Sequence, residues 1–281
     1  MPIGFIGLGN LGTAIATRLT SMNEEIIAFN RTKKENCAFK QVSTPKELLE
    51  VCDTIFICLF DSSAVSNILN MPNGLLSGNL KNKTLIDLTT HHYEEVLTFH
   101  AILKEKGANY LEAPVFGSVA PALNGLVTIV ASGEKEVFDL ARPYLEKFGK
   151  EIFHLPTPSS ASKMKLINNL CLGSFMATIA ECTALGEACD IEKTTLLDIL
   201  GVGGGQSLVL NAKKQKLIDE DFSPHFSNDA INKDLHCLQD LAYSLKRPLY
   251  SAAIPKELFS KMKMRGEGKE DFSSIYKLFK E

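Results

Sequence analysis

No stretch of 18 or more apolar residues runs uninterrupted through this chain, so no membrane-spanning helix is expected. The seven cysteines form no Cys-x-x-Cys pair, and their number is odd, which argues against a disulfide framework or a zinc ribbon. Cys182 and Cys189 lie seven apart in a helical pattern and read as core packing, the reduced thiols of a cytoplasmic protein. None of the six histidines has metal-ligand spacing; the adjacent His91 and His92 would diverge on any regular element, and no metal site is expected. Positive charge is not in excess: 30 Lys and Arg against 33 Asp and Glu leave a net charge of −3. Nothing in that balance attracts a nucleic acid or an anionic membrane. Residues 2–17 are uncharged, but the positive n-region of a signal peptide is missing, and Gly4, Gly7, Gly9 and Gly12 interrupt the run.

What is present is the composition of a globular chain, 45% apolar and 22% charged over 281 residues, a length that suggests two domains. Short β-branched runs alternate with helical patterns through the first half. Strands are expected at Ile3–Ile6, Glu25–Phe29, Thr54–Leu59, Thr84–Leu88, Asn109–Leu111, Leu126–Ala131 and Ile152–Leu155. Thr44-Pro45-Lys46-Glu47 places Thr at an N-cap, Pro at N1 and Glu at N3, the signature of a helix start. Glu134–Phe148 carries apolar residues at three-and-four spacing. Such alternation implies a doubly wound parallel sheet with helices on both faces.

Pro156-Thr157-Pro158 breaks the pattern. Beyond it, Ser160–Cys189 reads as one long helix with apolar residues almost all round, hence buried on all sides. Lys193–Leu200, Ser207–Leu217, Asn228–Leu245, Pro255–Met264 and Asp271–Phe279 are also helical in pattern. The expected architecture is α/β plus all-α: a Rossmann-type domain over residues 1–158 and an all-helical domain over 159–281, joined by the long helix. That helix has more apolar surface than a small helical domain covers, so a homodimer or homotetramer through the C-terminal helices is expected.

Gly7-Leu8-Gly9-Asn10-Leu11-Gly12 follows the first strand and opens a helix, the GxGxxG fingerprint of dinucleotide binding. Gly7 serves the tight turn, Gly9 the approach of the pyrophosphate, and Gly12 the close packing of helix on strand. About 20 residues on, NAD enzymes place an acidic residue for the ribose 2′-hydroxyl. Here the second strand ends in Asn30-Arg31-Thr32, followed by Lys33 and Lys34. Arg31 suits a 2′-phosphate in bidentate fashion and Thr32 adds a hydroxyl, so NADPH is expected over NADH.

Two more segments complete a pattern: Glu112-Ala113-Pro114-Val115-Phe116-Gly117-Ser118 after a strand, and Lys165-Leu166-Ile167-Asn168-Asn169 early in the long helix. With the fingerprint, Asn30-Arg31-Thr32, Asp87-Leu88-Thr89-Thr90 and Lys233-Asp234-Leu235, the whole chain resembles the β-hydroxyacid dehydrogenase family, nearest its glyoxylate/succinic semialdehyde reductase branch. Carbonyl reduction by a nicotinamide needs a proton for the oxygen. Lys165 sits among apolar residues, where burial lowers a lysine pKa toward neutrality, as a general acid requires. Asn169 lies one turn along the same face. The resemblance makes Lys165 the catalytic lysine and Asn169 its polar partner. It further implies substrate contacts from Thr90, Gly117, Ser118, Phe226 and Asp234, and cofactor contacts from Leu59, Phe60, Asp61, Thr90 and Lys233. Phe226 reads equally as a core aromatic; Ser207, after a Gly203-Gly204-Gly205 run, stands where the resemblance implies a substrate-side Ser and reads equally as a residue of a plain helix-linking loop.

The family's usual Pro-Val-Ser-Gly becomes Pro-Val-Phe-Gly, with Phe116 replacing a hydroxyl that meets the substrate carboxylate. Phe116 is therefore a substrate-side residue that points to a larger or less polar carbonyl. The resemblance implies an NADPH-dependent reductase of a small anionic aldehyde or oxo acid such as glyoxylate or succinic semialdehyde. An imine reductase-like enzyme and a non-catalytic NADP-binding module are the alternatives; the lysine at position 165 argues against both.

Overall fold

A computed structural model describes residues 1–280 of the chain. The chain divides into two compact units, the first over Met1–Lys165 and the second from Leu166 on. The division falls seven residues beyond Pro158, because the first turns of the long helix bond to the end of the sheet, as described below.

The first unit runs β1 (Ile3–Ile6), α1 (Asn10–Ser21), β2 (Ile26–Phe29), β3 (Lys40–Gln41), α2 (Pro45–Val51), β4 (Thr54–Ile57), α3 (Ser62–Asn70), β5 (Thr84–Asp87), α4 (Glu95–Glu105), β6 (Asn109–Glu112), β7 (Val115–Phe116), α5 (Val119–Leu123), β8 (Val127–Ser132), α6 (Lys135–Leu145) and β9 (Gly149–Leu155). The strand order is β3-β2-β1-β4-β5-β6-β8-β7, with β9 beside β8. Strands β1, β2, β4 and β5 are buried at every position or all but one, so they read as continuous apolar runs rather than alternations. Two apolar clusters cover the sheet, one containing Phe5, Phe56 and Phe148, the other Ile6, Ile55 and Ile57. Phe5 stacks on Phe56 at 5.9 Å and Phe148 meets Phe56 edge-on at 6.0 Å; a side chain of this size contributes about 1.5–3 kcal/mol when buried.

The wholly parallel sheet expected from the alternation holds from β3 to β6, after which β8 pairs antiparallel with β6 and β7, and β9 runs parallel to β8. Between Glu112 and Val127 the chain forms only the two-residue β7 and the five-residue α5. The chain turns back at Gly117, and β8 pairs antiparallel with both β7 and β6. Helix α2 begins as expected: Glu47 N–H donates to Thr44 Oγ1, and the Glu47 carboxylate accepts from the Ser43 N–H at 3.1 Å.

Helix α7 (Ser160–Ala188) leads into the second unit, which holds α8 (Lys193–Val202), α9 (Leu208–Asp219), α10 (Asn228–Ser244), α11 (Tyr250–Met264) and a 3-10 helix over Phe272–Phe279. Its core gathers Met176, Ile179, Leu210, Ile231, Leu235, Phe259, Met262, Phe272 and Ile275. Helix α11 starts five residues before Pro255, the expected first residue. A proline inside a helix removes the N–H owed to the carbonyl four residues back. That carbonyl, Ser251 O, accepts instead from Ser174 Oγ at 3.0 Å.

The expectation that α7 is buried on all sides is not met. Ile167 is 46% exposed, Phe175 47% and Leu185 65%, on a stripe opposite Met176, Ile179 and Ala180. Apolar composition marks surface that favours leaving water; it does not state that this chain alone covers it.

Candidate functional site

In the first unit, functional residues collect at the carboxyl ends of the parallel strands, where ligands of open α/β sheets bind. Gly7 has φ +97°, and a Cβ there would stand 2.2 Å from Cys58 O; a Cβ on Gly12 would stand 2.1 Å from Gly7 O. Both must be glycine for the turn to close. A Cβ on Gly9 would meet nothing within 4 Å, so the space over the second glycine is open. Gly9 is also the N-cap of α1, where the helix start carries partial positive charge. This combination fits a pyrophosphate: a closed turn, an open approach, and N–H groups at a helix start.

Leu8 is buried, and its N–H donates to Asn30 Oδ1 at 2.9 Å. Asn30 Nδ2 in turn donates to Thr32 O at 2.7 Å. Asn30 therefore ties the fingerprint turn to the loop bearing Arg31 and Thr32, a role that its place after β2 did not reveal. Arg31 and Thr32 are exposed on that loop, and no carboxylate stands at the end of β2. Asn10 is exposed and Leu11 half-buried on the opening turn of α1.

After β4, Leu59 N–H donates to Thr89 Oγ1 at 3.1 Å, and the Asp61 carboxylate caps α3 through Ala64 N–H at 2.7 Å. Phe60 between them is 51% exposed. Thr90 is half-buried beside Thr89. A buried network supports both loops. His91 Nε2 lies 2.9 Å from Asp87 Oδ2, and His91 Nδ1 lies 3.1 Å from Ser62 Oγ. Tyr110 Oη donates to the same Asp87 oxygen at 2.9 Å, and Asp87 Oδ1 accepts from Thr89 N–H. Sequence pattern carries no sign of this, since Ser62, the Asp87–His91 segment and Tyr110 come from three separate stretches of chain.

Asp87 stands in register with Glu112 on the neighbouring strand, and both carboxylates are fully buried. Glu112 is surrounded by donors: Ser132 Oγ and Ser159 N–H on Oε1, Ser162 N–H and Ser162 Oγ on Oε2. His100 Nε2 lies 3.6 Å from Oε1, an electrostatic partner rather than a hydrogen bond. Burial opposes ionisation of this carboxyl, but His100 and the Ser132 and Ser162 hydroxyls prevail and hold it below the ordinary glutamate value.

Three residues beyond Glu112, Val115 O accepts from Lys165 Nζ at 2.8 Å, and the ammonium lies 4.9 Å from the centre of the half-buried Phe116 ring. Lys165 itself is 8% exposed. Lys163, two positions earlier, is half-buried with its Nζ 5.9 Å from the Tyr93 ring. Gly117 has φ +150°, and a Cβ there would stand 2.8 Å from Val127 Cγ1; Ser118 follows at the N-cap of α5.

In the second unit, Asn169 is fully buried and donates from Nδ2 to Asp234 Oδ2 at 2.6 Å. Lys233 Nζ pairs with Asp234 Oδ1 at 2.6 Å, and Asn168 Nδ2 donates to Asn169 Oδ1 at 3.2 Å. The lysine–aspartate–asparagine chain joins residues some 65 positions apart. Phe226 belongs to another cluster: its ring meets Phe272 edge-on at 5.7 Å, and its N–H donates to Asp271 Oδ2 at 3.2 Å. Ser207 caps α9, accepting from Leu210 N–H at 3.0 Å. Among the described residues, no group of His, Cys, Asp and Glu could hold a metal ion.

Comparison with known proteins gives consistent matches. Residues 2–156 match the family described as the NAD binding domain of 6-phosphogluconate dehydrogenase. Residues 159–279 match the family described as NAD-binding of NADP-dependent 3-hydroxyisobutyrate dehydrogenase. The chain is 32% identical to the cytokine-like nuclear factor N-PAC of Gallus gallus, over 99% of this chain and 51% of that protein. It thus spans about half the length of such relatives. It is 30% identical to 2-(hydroxymethyl)glutarate dehydrogenase of Eubacterium barkeri, over 99% of this chain and 95% of that one. The crystal structure of 3-hydroxyisobutyrate dehydrogenase from Salmonella typhimurium superposes with a TM-score of 0.91 at 25% identity, covering 99% of this chain and 100% of that chain.

Proposed function

Because the chain belongs to the β-hydroxyacid dehydrogenase family, we propose that it is an NADPH-dependent reductase of a small aldehyde or oxo acid. The observation that carries this reading is Lys165: a lysine held at 8% exposure, its ammonium fixed by a carbonyl oxygen and an aromatic face, one helical turn before the buried Asn169. A surface lysine meets none of those conditions.

The bound nicotinamide supplies the hydride. Gly7, Gly9 and Gly12 shape the pyrophosphate turn, with Leu8, Asn10 and Leu11 completing it, and Asn30 holds Arg31 and Thr32 in place for a 2′-phosphate. Leu59, Phe60, Asp61, Thr90 and Lys233 complete the cofactor contacts. Lys165 gives a proton to the carbonyl oxygen as it gains negative charge, exchanging its bond to Val115 O for one to substrate. Asn169, oriented by Asp234, fixes that oxygen. Thr90, Gly117, Ser118, Phe226 and Asp234 hold the rest of the substrate. Phe116 lines the pocket with an apolar face, which favours a carbonyl compound larger than glyoxylate.

The relative from Eubacterium barkeri is named for a branched hydroxy-dicarboxylate. The aldehyde that corresponds to that alcohol joins glyoxylate, succinic semialdehyde, tartronate semialdehyde and a cyclic imine in the testing panel. NADPH oxidation with one or more of the oxo compounds supports the reading, and turnover of the imine alone contradicts it. A second reading, a non-catalytic NADP-binding module, draws on the similarity to N-PAC, which is named as a nuclear factor. It predicts tight NADPH binding with no turnover across the panel. The exposed stripe of Ile167, Phe175 and Leu185 supports a homodimer or homotetramer built on the C-terminal helices. Sedimentation at micromolar concentration tests this, and a monomer contradicts it.

A further inference from the structure

We infer that Glu112 is a positioning residue for Lys165, clamping the start of α7 to the sheet so that the lysine ammonium lands on the Val115 carbonyl. The inference rests on the catalytic reading of Lys165 given above. Three observations carry it.

Each Glu112 oxygen receives one main-chain N–H: Ser159 on Oε1 and Ser162 on Oε2. A helix start leaves such donors without intrahelical partners, and here a strand carboxylate supplies what an N-cap side chain normally would. Ser132 completes the clamp from β8, giving its hydroxyl hydrogen to Glu112 and accepting from Ala161 N–H at 2.9 Å.

Ser159 sits at φ +72°, a left-handed conformation that a non-glycine residue adopts only when outside contacts hold it. Its N–H on Glu112 and its hydroxyl on Tyr93 O hold it there. The entry angle of α7 is therefore imposed by bonds from outside the helix.

Finally, the attachment has two matched points. Ser162 and Lys165 are three apart on one helix face, and Glu112 and Val115, their partners, are three apart on the strand segment. A shift of the helix that loosens the first point misplaces the second.

The chemistry demands a carboxylate. Glutamine has nearly the same shape but offers one acceptor oxygen. With two main-chain donors on opposite oxygens, its NH2 must face an N–H, and a buried donor loses its partner.

The test compares wild type with Glu112→Gln and the milder Ser132→Ala, which keeps the carboxylate. Trace acetylation followed by mass spectrometry reads the reactivity of each lysine, with Lys163 as internal control. Removing the clamp should make Lys165 in Glu112→Gln label about threefold faster or more at pH 8, as its bond to Val115 O weakens and the amine is freed, while Lys163 keeps its rate. In parallel, kcat should fall about tenfold with KM for NADPH unchanged, the loss expected of a misplaced catalytic group. Ser132→Ala should move both readouts the same way by less. Unchanged Lys165 labelling in both variants overturns the inference, as does an equal rise at Lys163, which marks general loosening. A Lys165→Ala variant separates the two claims: if it keeps its rate, the acid role fails, while the labelling still decides whether Glu112 holds this amine.

Discussion

Asn169 and Asp234, 65 positions apart in the chain, meet in a 2.6 Å hydrogen bond with both side chains buried. The amide gives one hydrogen to Asp234, so its orientation is set, and the carbonyl oxygen faces Asn168. Asp234 also holds Lys233. Truncating Asp234 releases both partners at once. Asp234→Ala should lower kcat/KM about ten- to a hundredfold, as lost orientation usually does, with little change in NADPH affinity. Steady-state kinetics and a fluorescence titration of NADPH check this; an unchanged kcat/KM refutes the orienting role.

The three fingerprint glycines should behave differently. Gly7→Ala and Gly12→Ala put a Cβ 2.2 and 2.1 Å from carbonyl oxygens, so each should destabilise the first unit severely. Gly9→Ala meets open space and should fold with an unchanged melting temperature while losing NADPH affinity. Thermal denaturation with and without NADPH distinguishes them, and a destabilised Gly9→Ala contradicts the assignment.

On the proposed function, Arg31 sets a preference for NADPH. Arg31→Asp places a carboxylate where the 2′-phosphate would sit and should shift the ratio of kcat/KM for NADPH over NADH toward NADH by at least about tenfold. A variant that still prefers NADPH to the same degree shows that another group reads the phosphate.

The second unit contains a buried ion pair, Lys213 Nζ to Asp271 Oδ2 at 2.8 Å. Asp271 also takes the N–H of His225 and of Phe226, which pins the loop before α10. Burial works against ionisation of Asp271, yet Lys213 and Ser273 hold its carboxyl below the ordinary aspartate value. A carboxyl depressed in the folded state stabilises the fold above its unfolded pKa, and that contribution is lost as pH falls below about 4. Lys213→Met leaves the carboxylate unpaired and should cost about 3–5 kcal/mol near neutral pH. Part of that cost should vanish in acid below about pH 4, where Asp271 protonates. Urea denaturation at about pH 3.5 and at pH 7 tests it; a deficit equal at both contradicts the pairing.

The sequence disclosed those parts of the fold that follow from local pattern. Strands β1, β2, β4, β5 and β6, the Thr44 cap and the extent of α7 are read directly from apolar runs, capping residues and the absence of proline, whereas the two-residue β3 has no apolar run to mark it. The antiparallel return of β8 depends on the short β7 and the turn at Gly117, which an alternation rule overlooks. The exposed side of α7 escaped because an apolar face looks alike whether its own chain or another covers it. Of the candidate site, Lys165, Asn169 and the fingerprint were legible because each lies within a short motif. Glu112, Asp87 and His91 were not, since their meaning comes from partners 4 to 50 positions away that only the folded sheet brings together. Phe226, proposed to contact the substrate, also packs its ring on Phe272, a partner its place in the sequence does not reveal.

The most direct test of the account is NADPH oxidation by wild type and Lys165→Ala over the carbonyl panel, with NADPH affinity measured for both. The account predicts turnover of one or more oxo compounds by wild type. It also predicts at least a hundredfold lower kcat for Lys165→Ala at unchanged NADPH affinity, about 2.7 kcal/mol of transition-state stabilisation. A variant within tenfold of wild type would contradict it, as would a wild type that binds NADPH and reduces nothing in the panel.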